Sequence, residues 1–118
     1  MTKGFQELVV WKKAMELTKE VYSLVKRLPN EEKYALSDQM RRAAVSIPSN
    51  IAEGNSRNGT KEYINFLSFA RGSNSELYTQ ILICVELGYI TNEDAQKAIS
   101  LNDEVARMLT ALIKKLNS

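Results

Sequence analysis

Two carboxylates, Glu53 and Glu76, interrupt helical patterns that are otherwise apolar on their inner side. Paired carboxylates can serve as a general acid and base or as metal ligands. Metal sites in helical bundles add histidines in Glu-x-x-His motifs, but the 118-residue chain has no histidine and only one cysteine, Cys84. Ser–His and Cys–His nucleophile pairs are therefore excluded, and zinc, haem or iron–sulfur sites are disfavoured. We predict no enzymatic activity, no metal and no cofactor.

The same acids fit a structural role better. Polar residues recur at intervals of four, three and four positions between Ser46 and Arg57, which places them on one face of a helix. A second polar stretch, "RGSNSE", occupies the middle of the next helical pattern. We expect the two polar stretches to face each other, or a neighbouring subunit, and to form a hydrogen-bonded network that sets the helix register. The predicted network comprises Ser46, Pro48, Asn50, Glu53, Ser73 and Glu76.

Pro48 and Gly72 both weaken the helices in which they lie. A proline has no backbone N–H, so the Ala44 carbonyl loses its helical donor and the helix bends. We expect a serine or asparagine side chain to supply the missing donor. Gly72 in the middle of a helix costs about 1 kcal/mol relative to alanine. That cost predicts that another backbone approaches closely at this position.

Apolar residues with helical spacing fill the whole chain, and no segment alternates with the period of a strand. Pro29 ends the first pattern, "NEEK" caps the second, Gly88 ends the third, and Thr91 or Asn92 caps the fourth. The short connections favour an all-α, up-down-up-down antiparallel four-helix bundle. We predict one domain over residues 1–118, with helices at about 7–28, 31–55, 61–87 and 92–116.

The net charge of +2 is unevenly distributed. Residues 1–61 carry 11 Lys and Arg against 7 Asp and Glu, a net charge of +4, whereas residues 62–118 carry 5 against 7, a net charge of −2. This asymmetry is compatible with a basic face for nucleic acid. The longest apolar run, "ILICV", is too short to cross a bilayer, and the first residues do not read as a signal peptide. With a single cysteine, which we expect to be buried, the chain fits a reducing cytoplasm.

Nearly the whole chain, residues 5–115, resembles the four-helix bundle family associated with intervening sequences in bacterial 23S ribosomal RNA genes. The resemblance is carried by "RRAAVSIPSNIAEG", by the arginine that follows it, and by "FLSFARGSNSEL". It implies a ring-like homopentamer and a kinship with the accessory variability protein of diversity-generating retroelements, a basic pentameric barrel that works with a reverse transcriptase and binds nucleic acid. The residues that match the family pattern are Arg42, Ser46, Pro48, Asn50, Glu53, Gly54, Arg57, Ser73 and Glu76.

Two functions remain open at this point. The first is a nucleic-acid-binding assembly factor, in which several copies multiply a modest local charge into a strong RNA or DNA surface. The alternative is a protein–protein adaptor that docks a partner such as a reverse transcriptase. The alternative for each pair of adjacent basic residues is that they lie on a solvated helix face and bind no nucleic acid. The candidate nucleic-acid-binding residues are Lys12, Lys13, Arg41, Arg42, Arg57, Lys61 and Arg71.

Overall fold

Four long helices make up most of the computed structural model, which describes residues 4–118. Helix α1 spans Val9–Val25, α2 spans Leu36–Asn55, α3 spans Thr60–Glu86 and α4 spans Asn92–Leu116. Short 3₁₀ helices cover Gly4–Glu7 and Asn30–Glu32. The described residues contain no strand, which confirms the all-α class.

The helices pack as the four sides of a bundle 43 Å long and 22 Å across. Helix α1 packs against α2 and α4, and α3 packs against the same two helices, so that α1 and α3 lie diagonally opposite each other. Their inner apolar faces form one core, in which Leu17, Met40, Ile47, Leu77 and Leu109 are fully buried. Cys84 also lies in this core, and burial raises the pKa of its thiol to about 11.

The second helix begins later than the sequence pattern predicts. "NEEK" forms a single 3₁₀ turn, and α2 starts at Leu36 rather than near residue 31. Glu32 explains the difference, because its Oε1 atom accepts a hydrogen bond from the Leu36 backbone N–H at 3.3 Å. One of the unpaired donors at the start of α2 is thus satisfied from the preceding turn. Glu32 Oε2 also accepts a hydrogen bond from Tyr89 Oη at 2.8 Å, and this bond raises the pKa of the phenol.

Local hydrogen bonds define the end of α3 and the start of α4. Gly88 has φ +76°, and the backbone N–H groups of Gly88 and Tyr89 donate to the carbonyls of Val85 and Cys84. This pair of bonds is the Schellman arrangement that a glycine after a helix predicts. Thr91 then caps α4, because its Oγ1 accepts from the Asp94 N–H at 3.0 Å and Asp94 accepts from the Thr91 N–H at 3.0 Å.

The close approach between helices falls at Gly54, not at Gly72. A β-carbon at Gly54 would lie 2.7 Å from the Phe66 β-carbon and 3.2 Å from the Tyr63 carbonyl oxygen. A β-carbon at Gly72 would meet nothing within 4 Å in the part of the chain described. The expectation that another backbone of the same chain approaches Gly72 is therefore wrong.

Candidate nucleic-acid interface

The polar middles of α2 and α3 meet through two serines. Ser46 Oγ lies 2.8 Å from Ser73 Oγ, and Asn50 Nδ2 donates to the carbonyl and hydroxyl oxygens of Ser46 at 2.8 and 2.9 Å. The structure thus brings together three members of the predicted network. Glu53 and Glu76 do not join this cluster. Each bonds within its own helix instead.

Both carboxylates pair with a residue one helical turn further along the chain. Glu53 Oε2 accepts from Arg57 at 2.7 Å, and Glu76 Oε2 accepts from the Gln80 amide at 3.4 Å. Both acids are exposed. No group of three or more His, Cys, Asp or Glu side chains in residues 4–118 is arranged to hold a metal ion. The geometry is therefore that of solvated helical side chains.

Pro48 is accommodated by a donor from another helix. The Thr18 hydroxyl of α1 lies 3.1 Å from the Ala44 carbonyl oxygen and 2.9 Å from the Ala14 carbonyl oxygen. The hydroxyl has one hydrogen, so the Ala44 carbonyl, which loses its helical donor to Pro48, shares this donor with the Ala14 carbonyl. The expectation that a serine or asparagine would serve was wrong.

A buried asparagine pair joins α3 to α4, and the sequence analysis missed it as a network. Asn74 is 1% exposed and Asn102 is 5% exposed. Asn74 Nδ2 donates to the Asn102 carbonyl at 3.0 Å, while Asn102 Nδ2 donates to the Asn74 carbonyl at 2.9 Å and to Asn74 Oδ1 at 3.0 Å. Both asparagines lie at inward heptad positions, which are normally apolar. This departure from the pattern is the signal that could have revealed the pair.

The seven predicted cations fall into two groups. Three have a carboxylate within ion-pair distance: Lys13 with Glu104 at 3.4 Å, Arg42 with Asp38 at 2.9 Å, and Arg57 with Glu53 at 2.7 Å. Arg57 also lies 5.1 Å from the ring centre of Phe66. The other four, Lys12, Arg41, Lys61 and Arg71, have no such partner among residues 4–118. These four remain available to an external anion.

The available cations do not form one continuous patch on a single chain. Arg41 lies near the start of α2 and Lys61 near the start of α3. The part of α2 between Arg41 and its end at Asn55 separates them, a length of about 21 Å at 1.5 Å per residue. Lys12 lies on α1, diagonally across the bundle from α3, which carries Arg71. A single chain therefore offers separate basic points on different sides.

Two grooves on opposite sides of the bundle differ in character. The α1–α2 groove, of about 380 Å³, is lined mainly by apolar side chains that include Phe5, Trp11, Met15, Val45 and Pro48. The α3–α4 groove, of about 570 Å³, has hydroxyl and amide groups along its walls and the Asn74–Asn102 pair at its base. None of the helices in the described part of the chain is long and apolar enough to span a bilayer.

Fold and surface together define a helical-bundle protein with dispersed cations. The family model described as 23S rRNA-intervening sequence protein matches residues 6–111, and the chain belongs to that family. A solved structure from Bacteroides thetaiotaomicron, described as a protein with unknown function from the S23 ribosomal protein family, is 29% identical with a TM-score of 0.83. The match covers 90% of this chain and 99% of that chain. No curated protein matches significantly.

Proposed function

We propose that this protein is a non-catalytic, oligomeric nucleic-acid-binding factor. The observation that carries the proposal is that four of the seven predicted cations, Lys12, Arg41, Lys61 and Arg71, form no ion pair within residues 4–118. A lone cation on a surface binds a phosphate weakly, but several copies of the chain would present these points repeatedly to one polyanion. The family name supports RNA as the first nucleic acid to test.

The proposed assembly is a homopentameric ring of up-down-up-down bundles. The helix directions are supported by the contacts between α2 and α3, which run in reverse order along the two helices: Met40–Cys84, Ser46–Ser73 and Asn55–Tyr63. The α1–α2 groove supports the assembly itself, since Met15, Tyr22 and Val45 are each at least 40% exposed along it. An exposed apolar surface of this kind is typical of a protein contact.

A salt series tests the nucleic-acid proposal. The affinity of the oligomer for a labelled structured RNA and for a DNA duplex should fall as the salt concentration rises. Log affinity should decrease linearly with log salt concentration, with a slope of roughly −0.9 per phosphate contacted on duplex DNA. We expect Lys61→Gln with Arg71→Gln to flatten the slope. Lys97→Gln is the matched control, because Lys97 is equally cationic but pairs with Glu20 at 3.9 Å. Equal losses in both variants, or no binding at low salt, would contradict the proposal.

The assembly has its own test. Val45→Asp places a charge in the α1–α2 groove and should reduce the native mass, whereas the near-isosteric Val45→Thr should not. Native mass spectrometry measures both, and circular dichroism confirms that each variant is folded. A native mass that is unchanged by Val45→Asp would remove this groove from the interface.

A protein–protein adaptor is the second candidate, and a separate surface favours it. Phe69 on α3 and Leu87, the residue that follows α3, are 62% and 56% exposed, and their spacing of 18 residues, five full turns, places them on one face. This face lies away from the α1–α2 groove. A reverse transcriptase, the partner implied by the sequence resemblance, belongs to this alternative. Capture of a protein partner that survives nuclease treatment and is lost in Phe69→Ser would support it.

A further inference from the structure

The α3–α4 groove has the size and lining of a small-ligand site. Its volume of about 570 Å³ lies within the range typical of such sites. One wall carries Tyr78, which is 41% exposed, and the other carries Ile99. The hydroxyl groups of Ser75, Thr79 and Ser100 also line the groove. A flat aromatic ligand with polar edges suits this combination better than an apolar helix does.

The asparagine pair leaves one acceptor at the base of the groove. The side-chain amide of Asn74 both donates and accepts a hydrogen bond. The amide nitrogen of Asn102 donates to the backbone and side-chain oxygens of Asn74. Asn102 Oδ1 accepts no hydrogen bond within residues 4–118, and Asn102 lines the groove. This carbonyl oxygen can therefore accept a hydrogen bond from an N–H donor of a ligand in the groove. Exocyclic amino and ring N–H groups of nucleobases are such donors.

Basic side chains lie beyond one end of the groove. Arg71 precedes Ser75 by one helical turn and therefore lies on the same face of α3. Ala106 lines both the groove and an adjoining depression, whose lining includes Arg107 and Lys114. Asp103, the one carboxylate on the groove wall, pairs with Arg107 at 3.0 Å. The charge at this end is net positive, which favours a nucleotide over a neutral ligand.

We propose that the α3–α4 groove binds an unpaired nucleobase of a single-stranded nucleic acid. The base stacks on Tyr78 and donates a hydrogen bond to Asn102 Oδ1. The adjoining phosphates lie against Arg71, Arg107 and Lys114. The inference rests on the proposed nucleic-acid binding and adds to it a preference for single strands, because a paired and stacked base cannot enter the groove.

Binding of a labelled single-stranded decamer and of a duplex of the same sequence tests the inference, in RNA and in DNA. Tyr78→Ala should weaken single-strand binding roughly 5- to 100-fold, the usual range for loss of one base–aromatic stack, and leave duplex binding unchanged. Tyr78→Phe should bind as the parent does. Tyr34→Ala is the control, because Tyr34 is 86% exposed and lies outside the groove and the proposed subunit contact. Equal single-strand affinities of Tyr78→Ala and Tyr34→Ala would overturn the inference.

Ser100→Leu gives a second variant that fills the groove from an exposed position. It should reproduce the loss seen in Tyr78→Ala, and normal single-strand binding by this variant would contradict the inference. The two proposals fail differently. If both decamer and duplex bind with steep salt dependence but neither groove variant matters, only the inference is wrong. If neither nucleic acid binds at low salt, the proposed function is wrong and the inference is lost with it.

A direct readout uses the side-chain amide signals of Asn74 and Asn102 in ¹⁵N-edited NMR spectra. Titration with AMP or UMP should shift these signals, whereas ribose 5-phosphate and inorganic phosphate should leave them in place. Signals that respond to phosphate as strongly as to AMP and UMP, or to none of the four compounds, would overturn base recognition in this groove.

Discussion

The Thr18 hydroxyl of α1 lies 3.1 Å from the Ala44 carbonyl oxygen of α2, the acceptor that Pro48 deprives of its helical donor. Ala44 is fully buried, so water cannot replace the missing bond. The proline is therefore tolerated because a neighbouring helix supplies the donor. This contact makes the second helix depend on the first at a position that local sequence does not indicate.

Thr18→Val should lower the free energy of unfolding by about 1–3 kcal/mol, the usual cost of a buried carbonyl without a partner. The loss should be smaller in a Pro48→Ala background, because the backbone N–H at position 48 can then donate to Ala44. Urea denaturation of the four combinations measures the coupling. Thr18→Ser keeps the hydroxyl and is the control. Equal costs in both backgrounds would show that the threonine does not compensate for the proline.

Asn102→Leu should be more destabilising than its change in volume suggests. It leaves the buried Asn74 amide without partners, at a cost of about 1–3 kcal/mol. The double variant Asn74→Leu, Asn102→Leu should be less destabilised than the sum of the single variants, because no polar group is then left unpaired. Urea denaturation again provides the comparison. Additive costs would count against the pair as one hydrogen-bonded unit.

The two helical glycines should respond in opposite ways to alanine. Gly54→Ala forces Phe66 away from α2 and should cost roughly 1–3 kcal/mol, as overpacking usually does. Gly72→Ala meets no atom of residues 4–118 within 4 Å and should stabilise the chain by up to about 1 kcal/mol through helix propensity. Thermal unfolding of the isolated chain measures both effects. If Gly72→Ala instead lowers the native mass, Gly72 lies at a contact between subunits.

Asp94 should make the start of α4 sensitive to acid. Hydrogen bonds from Thr91, with the nearby Arg27 guanidinium, hold the pKa of this carboxyl below its ordinary value of 3.8. A carboxyl with a lowered pKa in the folded state stabilises that state above its unfolded pKa, and the contribution disappears as the pH falls through the folded pKa. Asp94→Asn should therefore lower the urea midpoint at pH 7 but have little effect near pH 2. Glu93→Gln, one position earlier and outside the capping box, is the control. An equal decrease at both pH values would contradict this assignment.

Local signals in the sequence predicted the helices well, and failed where a side chain acted across a turn. The apolar periodicity predicted four helices, and α3 and α4 lie within one residue of their predicted bounds. The start of α2 was wrong, because the hydrogen bond from Leu36 to Glu32 separates the acidic turn from the helix. Of the candidate site, the Ser46–Ser73 contact follows from the matching polar stripes. The pairs Arg42–Asp38 and Arg57–Glu53 are also compatible with helical spacing, because each joins positions i and i+4. The Lys13–Glu104 pair is not, because it joins α1 to α4.

The sequence by itself determined the helical class, the stop at Gly88, the cap at Thr91 and the family, because these depend on residues close together in the chain. The first helix ends at Val25, three residues before the end predicted from Pro29. Tertiary structure decided which carbonyl Thr18 serves, that Asn74 pairs with Asn102, and that the close approach falls at Gly54. The first two contacts join residues 26 and 28 positions apart. A periodic pattern shows which face of a helix is inward, but only the packed bundle determines which residue on the next helix lies opposite.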